Sequence, residues 1–172
     1  MNELFEFFWH GPFSQWHKCA FVVNGVSYNC AEQFMMAQKA ILFGDSDTLK
    51  EIMDTDNPKT QKSLGRKVKD FDPLRWDRLK LSVVYIGNYA KFTQNPSLKV
   101  ALMSTGEKTM VEASPYDKVW GIGLDASSPD ALDRNTWHGE NYLGRALDAV
   151  KVRIRAEMME EDLKNSFMKT VF

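Results

Sequence analysis

The sequence predicts an α+β fold: a single compact, helix-rich domain with a few short strands, including an N-terminal hairpin. Three observations carry that expectation. Asn24-Gly25 sits between runs of aromatic and β-branched residues, a strong short-range hairpin signal. Asn57-Pro58 and Asp72-Pro73 each place a capping side chain before a proline, the start signal of a helix. Near the C-terminus Leu143, Leu147, Val150 and Ile154 recur at helical spacing. A chain of 172 residues suits one domain with a sizeable core.

Taken in order, residues 4–9 alternate enough for a short strand, and residues 20–28 form the hairpin. Asn29 reads as an N-cap, and Asn29-x-x-Glu32 has the spacing of a capping box. The helix it opens runs to about Phe43 and stops at Gly44. A short helix is expected over 47–53, another from Pro58 to about Lys69, and a longer one from Pro73 through Lys91. Residues 96–103 read as a further short helix and 109–113 as a strand. The stretch 114–137 is rich in Gly, Pro, Asp and Ser and reads as an extended functional loop. A last long helix follows from Asn141. We expect a domain over residues 1–155 and a charged helical tail over 156–172. No internal repeat or low-complexity segment interrupts the chain.

Composition narrows the function. Hydrophobic residues make up 44% and charged residues 26%, as in ordinary soluble globular proteins. No apolar run is long enough to span a bilayer, and acids stand near the N-terminus where a signal peptide carries bases. Cys19 and Cys30 fit neither a disulfide framework nor a metal site, and a cytoplasmic setting with reduced thiols is expected. The net charge is −1, but residues 59–91 carry a local excess of +6. That asymmetry suits an anionic ligand, or simply a solvated helical face.

Phosphate-loop, dinucleotide-binding and nucleophile-elbow signatures are missing from the sequence. His10, His17 and His138 lack metal-ligand spacing, so neither a metal nor another cofactor is expected. The informative stretch is 28–40, where a carboxylate, side-chain amides and an ammonium stand among apolar residues, and Glu32 and Lys39 lie seven positions apart on one helical face. A charged pair where packing favours Leu is the local inconsistency expected of a functional site. Lys59, Lys62 and Arg66 fall at i, i+3 and i+7, a face suited to phosphate.

Several segments, in order, complete the pattern: Phe8-Trp9 with Pro12-Phe13-Ser14-Gln15-Trp16, then Tyr28-x-x-Ala31-Glu32-Gln33-Phe34-Met35-x-Ala37-Gln38-Lys39-Ala40. Next come Leu64-Gly65-Arg66, Trp76, Ala90-Lys91-Phe92 and Leu102-x-x-Thr105-Gly106. The last are Val111-Glu112-Ala113-Ser114-x-x-Asp117-x-x-Trp120-Gly121-x-Gly123 and Gly139-x-Asn141-x-Leu143-Gly144. In this combination the chain resembles the NADAR superfamily, also called YbiA-like, over about residues 5–155.

The resemblance implies an N-glycosidase that cleaves a ribose C1–N bond. The substrates it implies are phosphorylated N-ribosides, either small ribosylamino-pyrimidine intermediates of riboflavin synthesis or ADP-ribose on guanine bases of nucleic acid. It points to Glu32 as the catalytic carboxylate steadying an oxocarbenium-like state, with Asp117 assisting. Glu32 also reads as a capping residue, a position at a helix N-terminus that would keep it ionised, and Asp117 as a turn cap. Trp76 and Trp120 are candidates to stack on the base, with a core role open for Trp76. Arg66, Lys62 and Lys39 are candidate phosphate ligands, and Gly121 and Gly123 would admit backbone N–H groups to a phosphate or ribose. Asn141 is a candidate hydroxyl ligand, but reads first as the cap of the last helix. A non-catalytic module binding ADP-ribose or NAD is the alternative.

Overall fold

A computed structural model describes residues 3–171, with side chains through residue 167. Its strands are β1 (Phe5–Phe8), β2 (Phe21–Val23), β3 (Val26–Tyr28) and β4 (Thr109–Glu112). Its helices are α1 (Ala31–Leu42), α2 (Ser46–Asp54), α3 (Pro58–Gly65), α4 (Pro73–Gln94), α5 (Pro96–Ser104) and α6 (Tyr142–Val171). The expected α+β architecture is present. The β2–β3 hairpin turns at Asn24 and Gly25, whose φ values of 51° and 79° give the left-handed pair that a two-residue turn demands.

Local chemistry starts most helices where the sequence places them. Asn57 Oδ1 accepts from the Lys59 and Thr60 amides, and Asp72 Oδ1 from those of Leu74 and Arg75. Two boundaries differ from expectation. The N-cap of α1 is Cys30, whose Sγ accepts from the Gln33 amide, while Gln33 Oε1 reaches back to the Asn29 amide. Gln33 thus takes the capping work, and Glu32 is free of it. Helix α3 ends at Gly65 rather than near Lys69, because Asp45 Oδ2 draws in the Lys69 amide at 2.9 Å.

The core lies where α1 meets α2, α3 and α4, and where α4 packs on α6. Close approach is enforced by glycine: a Cβ at Gly65 would overlap the Met36 thioether, and one at Gly87 would strike the Phe34 ring. Strands β1 and β4 pair in parallel, Phe5 opposite Thr109 and Phe8 opposite Glu112. Because they are parallel, both chains leave the pair at the same end. Residues 9–16 and 113–121 therefore emerge side by side, facing the start of α1. A small second core of Val111, Ala113, Ile122 and Ala131, backed by Phe5, Phe7 and Trp137, holds the irregular segment against this pair. Among the described residues no helix is long and apolar enough to cross a membrane. Helix α6 continues past residue 155 as an exposed rod whose side chains include Met159, Leu163 and Phe167.

Candidate active site

A cleft of about 340 Å³ opens where the two exit segments meet α1 and α3. Its floor is acidic. Glu32 enters from the first turn of α1, Glu112 from the last residue of β4, and Asp117 from the loop beyond it. Its rim is aromatic, formed by Trp9, Trp16, Tyr116 and Trp120, with Lys62 and Arg66 of α3 on one side.

The backbone around Glu32 is fixed from the N-terminal loop. The Glu32 amide donates to the Gln15 carbonyl at 3.0 Å. Gln15 itself is pinned, its Oε1 accepting from Asn88 Nδ2 at 2.7 Å. The fully buried Lys91 of α4 donates to the Ser14 carbonyl at 2.9 Å, and its burial lowers its pKa to about 8. Asp117 Oδ1 accepts from the Val119 and Trp120 amides at 2.9 and 2.8 Å, and its Oδ2 lies 3.7 Å from Lys62 Nζ. Asp117 is thus both a turn cap and a wall of the cleft, and the turn it caps presents Trp120. Glu112 is held through its main chain: its amide donates to Asn141 Oδ1 and its carbonyl accepts from Ile122.

The electrostatics are set by burial. Glu32 is 2% exposed, and its Oε1 accepts no hydrogen bond among the described residues. Desolvation raises its pKa to about 7; Lys62, the Trp16 indole N–H and Arg66 oppose the rise, while Asp117 adds to it. The helix N-terminus was expected to keep this carboxyl ionised at lower pH, but loss of water outweighs a partial dipole charge. Glu112 goes further. Desolvation first, then Asp117 and Glu32, push it to about 8, against the opposing charge of Lys62. Its Oε2 is also buried without a partner among the described residues.

The cleft brings together Glu32, Asp117, Trp120, Lys62 and Arg66. It does not include the other sequence candidates. Lys39 lies two turns along α1, about 10 Å from Glu32 by helical rise, with its ammonium 4.0 Å from the Phe71 ring centre and 5.9 Å from that of Trp76. Trp76 is buried in the main core. Gly121 packs so tightly that a Cβ would strike the Glu112 and Asp117 carbonyls, and the Gly123 amide donates to the Asp117 carbonyl. Both glycines shape the loop behind the cleft. Asn141 is buried with φ 50°, its Nδ2 donating to the Met110 carbonyl, so its side chain clamps β4 instead of capping α6. The sequence did not single out Glu112 and Tyr116 as cleft residues. The signal for Glu112 was its place at the end of a strand, immediately before the irregular segment.

The cleft of this α+β domain thus combines an acidic floor, an aromatic rim and two flanking cations. Comparison with known proteins places it more narrowly: residues 7–155 match the NADAR domain, and the chain belongs to that family. It is 47% identical over 146 residues to N-glycosidase R617 of Acanthamoeba polyphaga mimivirus, covering 82% of this chain and 85% of that one. It is 26% identical over 151 residues to riboflavin biosynthesis protein VVA0006 of Vibrio vulnificus, covering 88% of this chain and 36% of that protein. The NMR structure of the E. coli protein YbiA superposes with a TM-score of 0.76 at 24% identity, over 93% of this chain and 90% of that one, a likeness of fold.

Proposed function

We propose that the protein is an N-glycoside hydrolase, acting in the cytoplasm on the ribose C1–N bond of a phosphorylated N-ribosyl compound with a guanine-derived leaving group. The observation that carries this reading is Glu32: a buried carboxyl, one oxygen of which has no partner among the described residues, in the lining of a cleft that also holds cations and aromatic side chains. As the C–N bond lengthens, positive charge develops on the sugar. An ionised Glu32 in a water-poor site stabilises that charge strongly and accepts a proton from the attacking water. Lys62 and Arg66 bind the phosphate, Trp16 and Trp120 stack on the ring, and Asp117 keeps Lys62 and Trp120 in place.

A purely ligand-binding module is disfavoured by the same floor. Three carboxyls under an anionic ligand would weaken its binding, and burying two of them costs stability with no return unless they do chemistry. Between substrates, the cleft favours a metabolite of nucleotide size. Within the basic stretch Lys69 pairs with Asp47 and Lys80 with Asp77, while Lys62 and Arg66 line the cleft. Two phosphate contacts predict a shallow salt dependence, unlike that of a polyanion binder. ADP-ribose on a guanine base shares the scissile bond and is the second candidate.

Mass spectrometry after incubation with a ribosylamino-pyrimidine phosphate, and separately with ADP-ribosylated guanine DNA, tests the reading. Release of the free amine with its ribosyl partner is expected, fastest from the small substrate. Intact substrate in both reactions would overturn it.

A further inference from the structure

We propose that Glu112 is the proton donor of the reaction, delivering its proton to the departing nitrogen while Glu32 acts as base. This assignment rests on the N-glycosidase reading and deepens it.

The three carboxyls of the cleft differ in what they touch. Asp117 Oδ1 accepts two backbone amides, and its Oδ2 lies 3.7 Å from Lys62 Nζ. Its Oδ1 is committed as the acceptor of the turn it caps. Glu32 and Glu112 each keep one buried oxygen without a partner among the described residues, and both line the same cleft. Two like charges cannot both be held in one desolvated site, so one carboxyl keeps its proton. Their neighbours decide which. Facing Glu32 are Lys62 and Arg66 from α3 and the Trp16 indole N–H from the N-terminal loop, with Asp117 the repelling charge. Facing Glu112 are Lys62 from α3, Asp117 from its own loop and Glu32 from α1. Glu32 thus has three groups that favour its anion, and Glu112 has one cation against two acids. Burial and these charges hold Glu112 near pKa 8, above Glu32 near 7.

Geometry supplies the rest. Glu112 ends β4 with its main chain locked on both sides, its amide by Asn141 and its carbonyl by Ile122. A rigid strand end is the right mounting for a group that must meet a substrate atom. The step balances. The C1–N electron pair goes to nitrogen, which takes the proton of Glu112. Water oxygen bonds to C1 and gives one proton to Glu32. Glu112 ends as the carboxylate and Glu32 as the acid, and exchange with solvent restores both.

The test uses the full chain and the ribosylamino-pyrimidine phosphate. Glu112→Gln is expected to lower kcat by about 10²–10⁴-fold with KM changed little. Wild-type kcat/KM is expected to follow a narrow bell, rising as Glu32 ionises near pH 7 and falling as Glu112 ionises near pH 8. Residual activity of Glu112→Gln should lack the alkaline limb. A kcat within threefold of wild type, or an alkaline limb that persists, would overturn the proposal. An inactive wild-type protein would instead overturn the N-glycosidase reading. Should Glu112→Gln fail to fold, NMR titration of side-chain-labelled glutamate in the wild-type protein decides: Glu112 protonated at pH 7 supports the assignment, and Glu112 ionised at pH 6 overturns it.

Discussion

Two buried polar clusters flank β4, and they differ in one respect. Behind the strand, Lys151 of α6 donates to the carbonyls of Lys108 and Gly106 and to Thr105 Oγ1, and pairs with Asp148 at 3.2 Å. Asp148 in turn accepts from the Met110 amide, and Asn141 uses both ends of its amide on the same strand. In front, Glu32 and Glu112 each bury an oxygen that nothing in the described chain satisfies. Satisfied polar groups fix the fold, while unsatisfied ones remain available to a substrate. The rear cluster anchors the strand whose far end aims Glu112.

Substitutions should separate the two roles. Removing Lys151 takes a buried ammonium away from the Lys108 carbonyl and from the Asp148 carboxylate. Lys151→Met should therefore cost about 3 kcal/mol in denaturant unfolding, with turnover per folded molecule preserved. The front cluster should show itself in the pH dependence of stability. Glu32 and Glu112 hold their protons more tightly folded, near 7 and 8, than at the ordinary value of 4.5. The folded state thus binds more protons between pH 4.5 and 8, so stability falls as pH rises through that window. A loss of several kcal/mol is expected, flattened in Glu112→Gln and measurable by urea titration at successive pH values. Asp117→Ala removes a two-amide turn cap and should cost about 1–2 kcal/mol while weakening substrate binding, read as a raised KM. At the small end, Lys69→Ala breaks an exposed pair with Asp47 and should change stability by less than about 0.5 kcal/mol.

What the sequence showed and what it hid divide along the same line between local and distant causes. The Asn24-Gly25 turn and the Asn57 and Asp72 caps were legible because each depends on a few adjacent residues. Glu32 stood out because a carboxyl among apolar neighbours breaks the helix pattern. The β1–β4 pairing was not legible, since its partners lie some hundred positions apart and nothing local marks a parallel register. That pairing is what carries Glu112 to the cleft. Lys39 and Trp76 share motifs with the cleft residues but pack against each other away from it, because helix rise and core packing decided their place. Capping by Gln33 instead of Glu32 turned on the reach of an amide back to Asn29, which spacing alone does not distinguish.

The account stands most directly on Glu32→Gln, assayed for product release and for unfolding free energy in the same preparation. An amide keeps the shape of the side chain but can neither carry the charge nor take the proton. The account predicts at least a ~10³-fold loss of turnover, with stability unchanged or raised at pH 8. Turnover at the wild-type rate in a folded Glu32→Gln protein would contradict it.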